Sequence, residues 1–503
     1  MLNRLLAALP VALLLAVPVA ARAAPQSSIR AVEITRTEPA GTFGGVAFRR
    51  IQGVIHGEVA ASEAVAGLHE VAAGRDLVPY DTAFDMVLPE DPSRADGVIV
   101  EANNRGMPVL LGMMSAPGAI APPKASASGE LKMEPGTSIR DGFLFAQHLS
   151  LAHVQWQTGI SPGVPQTAQG IGEVIVRDFG RLLGGGFPAA RTGLPVFRHR
   201  ILAGVSQSAW LVNSVIAEGF NVDPQTGRGV YQGVFTRDGA GVVMTINRFA
   251  AGKVQSPYVA TDMAPLTPAQ LLSRPKSDPV MVDVTAFTDF YRVRASVFAR
   301  APGNRRLHRY ATAAAHAPGT LVPPAFIFGK MQCNGGVPVP MNPTNDSLYL
   351  RPLLLGLANA VGIATATPQV LPPDAPFELT PAPPGLKDIN RLGATPLWTP
   401  KIAANGAASG GVAMIDAVQP LGVADPPALP PVGTSSINDT CGNFSGWKPL
   451  TVDELKQRYG SRAAYLAGAR RQAATLVKTG YLLGQDEAAA VAQVEALLPA
   501  GFQ

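Results

Sequence analysis

A serine attacks a carbonyl only when a base takes its proton, a carboxylate orients that base, and N–H groups receive the negative charge that forms. Residues 200–210 read Arg-Ile-Leu-Ala-Gly-Val-Ser-Gln-Ser-Ala-Trp. An apolar strand-like run enters Gly-x-Ser-x-Ser and leaves as a helix. A serine aimed from such a turn takes strained backbone angles, and its neighbours must be small to clear the adjoining strand and helix. Gly204 and Ser208 meet that need, so Ser206 is the candidate nucleophile. The helix N-terminus beneath it favours negative charge, and the amide of Gln207 is a candidate oxyanion donor.

For a serine on this kind of turn, the chain order is serine, acid, histidine. Five of the seven histidines, His56, His69, His148, His153 and His199, precede Ser206. Of the remaining two, His308 lies inside an extended run at 307–313, whereas His316 falls just past it. A loop at a strand's C-terminal end is where a base should sit, so His316 is expected as general base. The acid should follow the preceding strand, 279–286. Asp289 lies past that strand's end and is chosen; Asp283 lies within it and Asp278 before it, as structural residues. A second oxyanion donor is expected after an early strand, where 97–102 stops at Asn103-Asn104-Arg105-Gly106. The amide of Arg105 or Gly106 is the candidate. Asn104, Trp156, Gln157 and Trp210 are candidate pocket residues.

These positions require a sheet that brings successive strand ends together. Extended segments at 28–37 and 45–59 show loose alternation of β-branched residues, and 143–156 reads as a further extended stretch. Helical spacing marks 170–183, 208–217 and 347–361. Strands at 200–204, 230–236, 279–286 and 307–313 alternate with helices. That order implies a largely parallel sheet with helices on both faces, and the first two segments could add antiparallel strands at one edge. Thr451 and Glu454 fit a capping box, and Asp486 is expected to cap a last helix through Leu498. Between His316 and Asp439 prolines are dense, at Pro323-Pro324, Pro372-Pro373, 381–384 and 426–431. So long a bare loop is uncommon, which favours a cap over the substrate pocket.

The first residues read as a secretory signal. Arg4 is followed by an apolar run, 5–20, and by Ala21-Arg22-Ala23, with cleavage expected after Ala23. The run is shorter than a spanning helix needs and contains Pro10 and Pro18. Removing it takes Arg4 and Arg22 from a formal net charge of +5 and leaves +3. No clustered basic face suggests a nucleic-acid partner. The two cysteines, Cys333 and Cys441, have no metal-ligand spacing, and in an oxidising compartment they are expected to pair. The loop so closed would stabilise by roughly 4 kcal/mol in the chain-entropy view. Domain boundaries are placed at 1–23 for the signal, 24–320 for the core, 321–440 for the Pro-rich cap or connection and 441–503 for a helical segment packed on the core.

Several segments resemble the "alpha/beta hydrolase domain" proteins of bacterial exported and cytoplasmic esterase-like sets. Val100 to Gly106 resembles that family's strand ending in Asn-Arg-Gly. Gly142-Phe143 through Val154-Gln155-Trp156-Gln157 resembles its Gly-Tyr…Gly-Trp-Gln strand. Gly204-Val205-Ser206-Gln207-Ser208 resembles its nucleophile turn. Asp289-Phe290-Tyr291 and Arg309-Tyr310 through His316 match its acid and histidine segments. The resemblance implies an α/β-hydrolase fold and a triad of Ser206, Asp289 and His316. Departures are Ala209-Trp210 where the family has Gly-Arg, Asp289 where it commonly has Glu, and Ala where it usually has Gly after the strand leading to His316.

The expected activity is carboxylic ester hydrolysis through an acyl-enzyme, with no cofactor or metal. The expected partner is a small-molecule ester, with neither nucleic acid nor a stable membrane anchor. The same parts would serve a lactonase, acyltransferase or amidase, and the same fold could carry a non-catalytic binding protein.

Overall fold

In a computed structural model, residues 25–503 are described except 95, 116–123, 126–130, 133–140, 160–162, 166, 192, 249–263, 317–324, 331, 384–396 and 426–440. The expected signal segment lies outside the described residues. Among them no helix is long and apolar enough to cross a membrane.

Short apolar runs form the centre of the sheet, and long alternating ones form its flank. Strands β1 (Ser28–Phe43), β2 (Val46–Ala60) and β3 (Leu77–Pro89) pair antiparallel. Six strands of five to seven residues follow: β4 (Gly97–Ala102), β5 (Ser150–Val154), β6 (His199–Val205), β7 (Gly233–Arg237), β8 (Val280–Ala286) and β9 (Leu307–Thr312). Together the nine make one sheet in the order β1-β2-β3-β5-β4-β6-β7-β8-β9. β5 runs antiparallel to β3, and every pairing from β5 to β9 is parallel. The two N-terminal segments therefore add antiparallel strands at one edge, as their alternation implies.

Parallel strands buried on both faces send successive side chains to two different cores. Val98, Val100 and Leu202 pack with helices α1 (Ile171–Leu183) and α2 (Gln207–Ala217). Their neighbours Ile99, Ile201 and Ala203 point the other way, into a core shared with α3 (Ser347–Ala360), α5 (Arg462–Thr479) and α6 (Glu487–Glu495). Helix α3, which fell inside the stretch expected as a cap, thus lies on the sheet. Between α3 and α5, helix α4 (Val452–Tyr459) begins with the expected capping box. Glu454 N donates to Thr451 Oγ1 at 3.3 Å, and Thr451 N to Glu454 Oε2 at 2.7 Å.

Two expectations need correction. The stretch 143–156 is not extended throughout: Phe143–Ala146 is a helical turn, and only Ser150–Val154 is strand. Asp141 Oδ1 accepts from Phe143 N at 2.9 Å, and the Phe145 ring packs on Phe43 and Phe48, which together hold the turn. Asp486 stands at the N-cap position of α6 but makes no side-chain cap, and the helix ends at Glu495. Its carboxylate instead accepts from Arg351 Nη1 at 2.8 Å. That buried arginine also binds Met114 O and Asp141, so a cation from α3 outcompetes a helix N-terminus for the Asp486 carboxylate.

Cys333 and Cys441 form a disulfide, as expected for two cysteines in an oxidising compartment, and close a span of 108 residues. Around it Ile327, Phe328 and Phe444 make a small separate apolar cluster. Nearby, Asn342 Nδ2 donates to Ala313 O at 2.9 Å, which ties this region to the end of β9.

Candidate active site

The strand-to-helix turn after β6 has the strained geometry its residue types foretell. Ser206 has φ +55° and ψ −125°, outside the regions an L residue ordinarily occupies. Its amide donates to Arg237 O at 3.0 Å, and its carbonyl accepts from Trp210 N at 3.1 Å. A Cβ at position 204 would stand 2.6 Å from Ser208 O and 2.8 Å from Ala209 N, so only glycine fits there. Ser208 has a use beyond being small. Its Oγ accepts from Val205 N and donates to Val205 O, each at 3.0 Å, and so clips the strand end to the first turn of α2.

Three expected residues from three strand ends come together. Ser206 Oγ is 2.6 Å from His316 Nε2, and His316 Nδ1 is 2.7 Å from Asp289 Oδ1. Asp289 opens the short helix Asp289–Arg292 after β8 and accepts from Ala286 N through Oδ2 at 2.9 Å. The loops bearing acid and base are laced together. Phe287 N donates to Ala314 O at 2.9 Å, and His316 N donates to Thr288 Oγ1 at 2.7 Å. His308 stays in β9, with Nδ1 3.7 Å from Asp374, away from the serine. Asp283 is buried inside β8, accepting from Thr236 Oγ1, Thr285 Oγ1 and Ala240 N, and Asp278 accepts from Arg274 N.

The turn after β4 also converges on the serine. Arg105 has φ +51° within a tight reversal where Asn104 and Met107 exchange backbone hydrogen bonds. Asn104 Nδ2 donates to Val205 O at 2.9 Å, fixing this turn against the residue before the nucleophile. Gln207 is the first residue of α2 and is buried. Trp156, by contrast, is a core residue: its ring belongs to the α1/α2 side of the sheet, and its Nε1 donates to Asn103 O at 2.8 Å. Gln157 is buried just beyond it. Trp210 is buried beside the histidine, with ring centroids 6.4 Å apart; its Nε1 donates to Asp238 O, and the Arg292 guanidinium covers its face.

Sequence reasoning passed over Arg237 and Asp238 at the end of β7. Arg237 is fully buried and donates to the carbonyls of Ala315 and His316, to Asp238 Oδ2 at 2.6 Å and to Asp346 Oδ2 at 3.0 Å. Thr312 Oγ1 adds a bond to Asp346 Oδ2 at 2.9 Å. The criterion that selects Asp289, an acid just past a strand end between the serine and the histidine in the chain, also selects Asp238.

The electrostatics follow from burial and charge. Burial holds the His316 imidazole below its ordinary value; Asp289 pushes it up, while Arg292 and Arg237 push it down. Burial would raise Asp289, yet the imidazole, its hydrogen bond, the Ala286 amide and Arg237 together hold that carboxyl below the usual range. Burial drives Asp238 well up, against Arg237 and with Asp289 and Asp346. Single ligand atoms of Asp238, Asp289 and His316 lie within 4.8 Å of one another, close enough for a cation. A guanidinium already bonded to Asp238 Oδ2 repels a metal there, so the cluster reads as a hydrogen-bond network.

A mostly parallel sheet, helices on both faces and a strained serine after a central strand define an α/β-hydrolase. The chain belongs to the alpha/beta hydrolase domain family, whose sequence profile matches residues 150–492. No curated protein matches it. Among solved structures, a glucuronoyl esterase from Solibacter usitatus aligns at 11% identity with a TM-score of 0.28, covering 51% of this chain and 67% of that one. A glucuronoyl esterase from Teredinibacter turnerae aligns at 12% and 0.28, covering 52% and 62%. An S-formylglutathione hydrolase from Agrobacterium tumefaciens aligns at 9% and 0.31, covering 56% and 90%.

Proposed function

We propose that this chain is an exported serine esterase that cleaves carboxylic esters of small molecules through an acyl-enzyme. The observation that carries this is the unbroken relay from Ser206 Oγ to His316 Nε2 at 2.6 Å and from His316 Nδ1 to Asp289 Oδ1 at 2.7 Å. Ser206 attacks the acyl carbonyl as His316 takes its proton. His316 then gives that proton to the leaving alcohol, and water repeats the sequence to release the acid. Asp289, ionised, holds the Nδ1 proton and stabilises the imidazolium that forms. The amides of Gln207 and Arg105 receive the developing oxyanion; Asn104 fixes the second of them through Val205. The disulfide supports an oxidising compartment, as expected of an exported chain.

The test is hydrolysis of p-nitrophenyl acetate by the wild type and by S206A, alongside labelling with a fluorophosphonate probe. The wild type turns over and is labelled, and S206A does neither. Undiminished turnover in S206A would remove the serine, and with it the esterase reading.

A further inference from the structure

Two carboxyl groups, not one, lie within reach of the histidine's inner nitrogen. Asp289 Oδ1 is 2.7 Å from His316 Nδ1, and Asp238 Oδ2 is 3.7 Å from the same atom. They arrive from neighbouring strands, β7 and β8. Asp238 is held there by its backbone: its amide donates to Val284 O at 2.7 Å, and its carbonyl accepts from Trp210 Nε1 at 2.9 Å. Its φ is +62°. A non-glycine residue is kept in that left-handed region only where its surroundings over-determine it.

The charges around Asp238 come from several elements. They are Arg237 on its own strand, Asp289 past β8, His316 past β9 and Asp346 at the start of α3, with Asp283 of β8 bonded to Ala240 N and Arg292 over the Trp210 ring. The Arg237 guanidinium faces three fully buried carboxyls. Asp238 Oδ2 takes the Arg237 bond, while Oδ1 is buried with no N–H or O–H donor. A buried carboxylate oxygen without a donor is costly, whereas a carboxylic acid carries its own. The neighbouring carboxyl is that of Asp289: one ligand atom each of Asp238, Asp289 and His316 lie within 4.8 Å of one another. One carboxylate so near another disfavours ionisation of the second.

We propose that Asp238 is a positioning residue for the His316–Asp289 pair, donating a hydrogen bond to the Asp289 carboxylate and standing as a second acceptor for the Nδ1 proton. The proposal rests on the serine-esterase reading of this site. In the resting enzyme the Asp238 O–H orients Asp289 while Asp289 orients the imidazole. When Asp289 loses its charge, its repulsion no longer adds to the burial that keeps Asp238 protonated, so Asp238 ionises as pH rises and takes over the Nδ1–H.

The full-length protein and its D289N, D238N and D289N/D238N variants, assayed on p-nitrophenyl acetate across pH, test this. D289N is expected to lose about 10- to 100-fold in kcat, with residual activity that climbs with pH as Asp238 ionises. The double variant is expected to lose about 10⁴-fold, the cost of an imidazole with no carboxylate partner, with no such climb. D238N alone costs less than tenfold, in kcat rather than KM, because its amide still donates. Equal inactivity of D289N and the double variant, with no pH climb in D289N, overturns the proposal. Should the double variant fail to fold, the downfield Nδ1–H resonance of His316 in folded D289N decides. Its presence supports Asp238 as acceptor, and its absence overturns it. Failure of the esterase reading shows separately, as turnover that survives in S206A.

Discussion

Two buried arginine clusters lie on this sheet, and they differ in how many carboxyls each arginine serves. On α1, Arg177 holds Glu63 through both guanidinium ends at 2.6 and 3.0 Å and Asp178 at 2.9 Å; Arg181 meets Asp178 at 3.0 Å and Asp223 at 3.4 Å. Burial opposes ionisation of Glu63, but Arg177 and the Ser27 hydroxyl hold it below its usual value. That cluster is a static clamp between α1 and the loop after β2. At the strand ends, Arg237 faces Asp238, Asp289 and Asp346, all without solvent. There one carboxyl keeps its proton, and a histidine sits beside it. In the α1 cluster every carboxyl has a guanidinium within 3.4 Å, and the cluster is only a joint; at the strand ends Asp289 has the imidazole instead, and a proton can be placed.

Removing each arginine should separate the two regions most sharply. Breaking either buried cluster leaves uncompensated charge and costs about 3–5 kcal/mol, read as a lower Tm. R177M should do only that, with kcat unchanged at temperatures where it is folded. R237M should also lose most activity, because the carbonyls of Ala315 and His316 lose the donor that holds the base's loop. Full kcat in folded R237M would erase the distinction.

Asp283 provides a third case, a buried carboxyl with hydroxyl and amide partners but no guanidinium. Burial raises it to about 6, against its bonds to Thr236, Thr285 and Ala240. The folded state therefore binds this proton more tightly than the unfolded one, and stability falls as pH rises from about 4 to about 6. Its full extent is about 3 kcal/mol. D283N should flatten that part of the Tm-against-pH curve; an unchanged slope would mean that Asp283 is not the group titrating.

The smallest effect is on the base itself. With burial, Arg292 and Arg237 holding His316 down, kcat/KM for p-nitrophenyl acetate should fall with acid through a single ionisation whose midpoint lies below the ordinary imidazole value of about 6.5. A midpoint above that value would mean that Asp289 outweighs burial and the two arginines.

Much of this arrangement was legible because it is local. The Gly204–Ser208 turn announces itself, since only small residues tolerate the close approach of α2 to β6. Placing His316 and Asp289 just past their strands follows from one rule about strand ends. That rule also fits Asp238, yet an arginine before an aspartate at a strand end looks like any solvated ion pair until burial is known. Trp156 reads equally as pocket or core in the chain, and only the turn at Asn103 shows which carbonyl its indole meets. Asp486 follows the helix-capping pattern, but a buried Arg351 from far along the chain claims its carboxylate.

Periodicity, turn chemistry and chain order are properties of neighbouring residues, and through them the sequence by itself determined the parallel sheet, the strained serine and the order of its partners. Which carboxyls share a guanidinium, which of them keeps a proton, and that two acids reach one imidazole were decided only by the tertiary structure. Desolvation and Coulomb energies depend on distances through space between strands that the chain separates by dozens of residues.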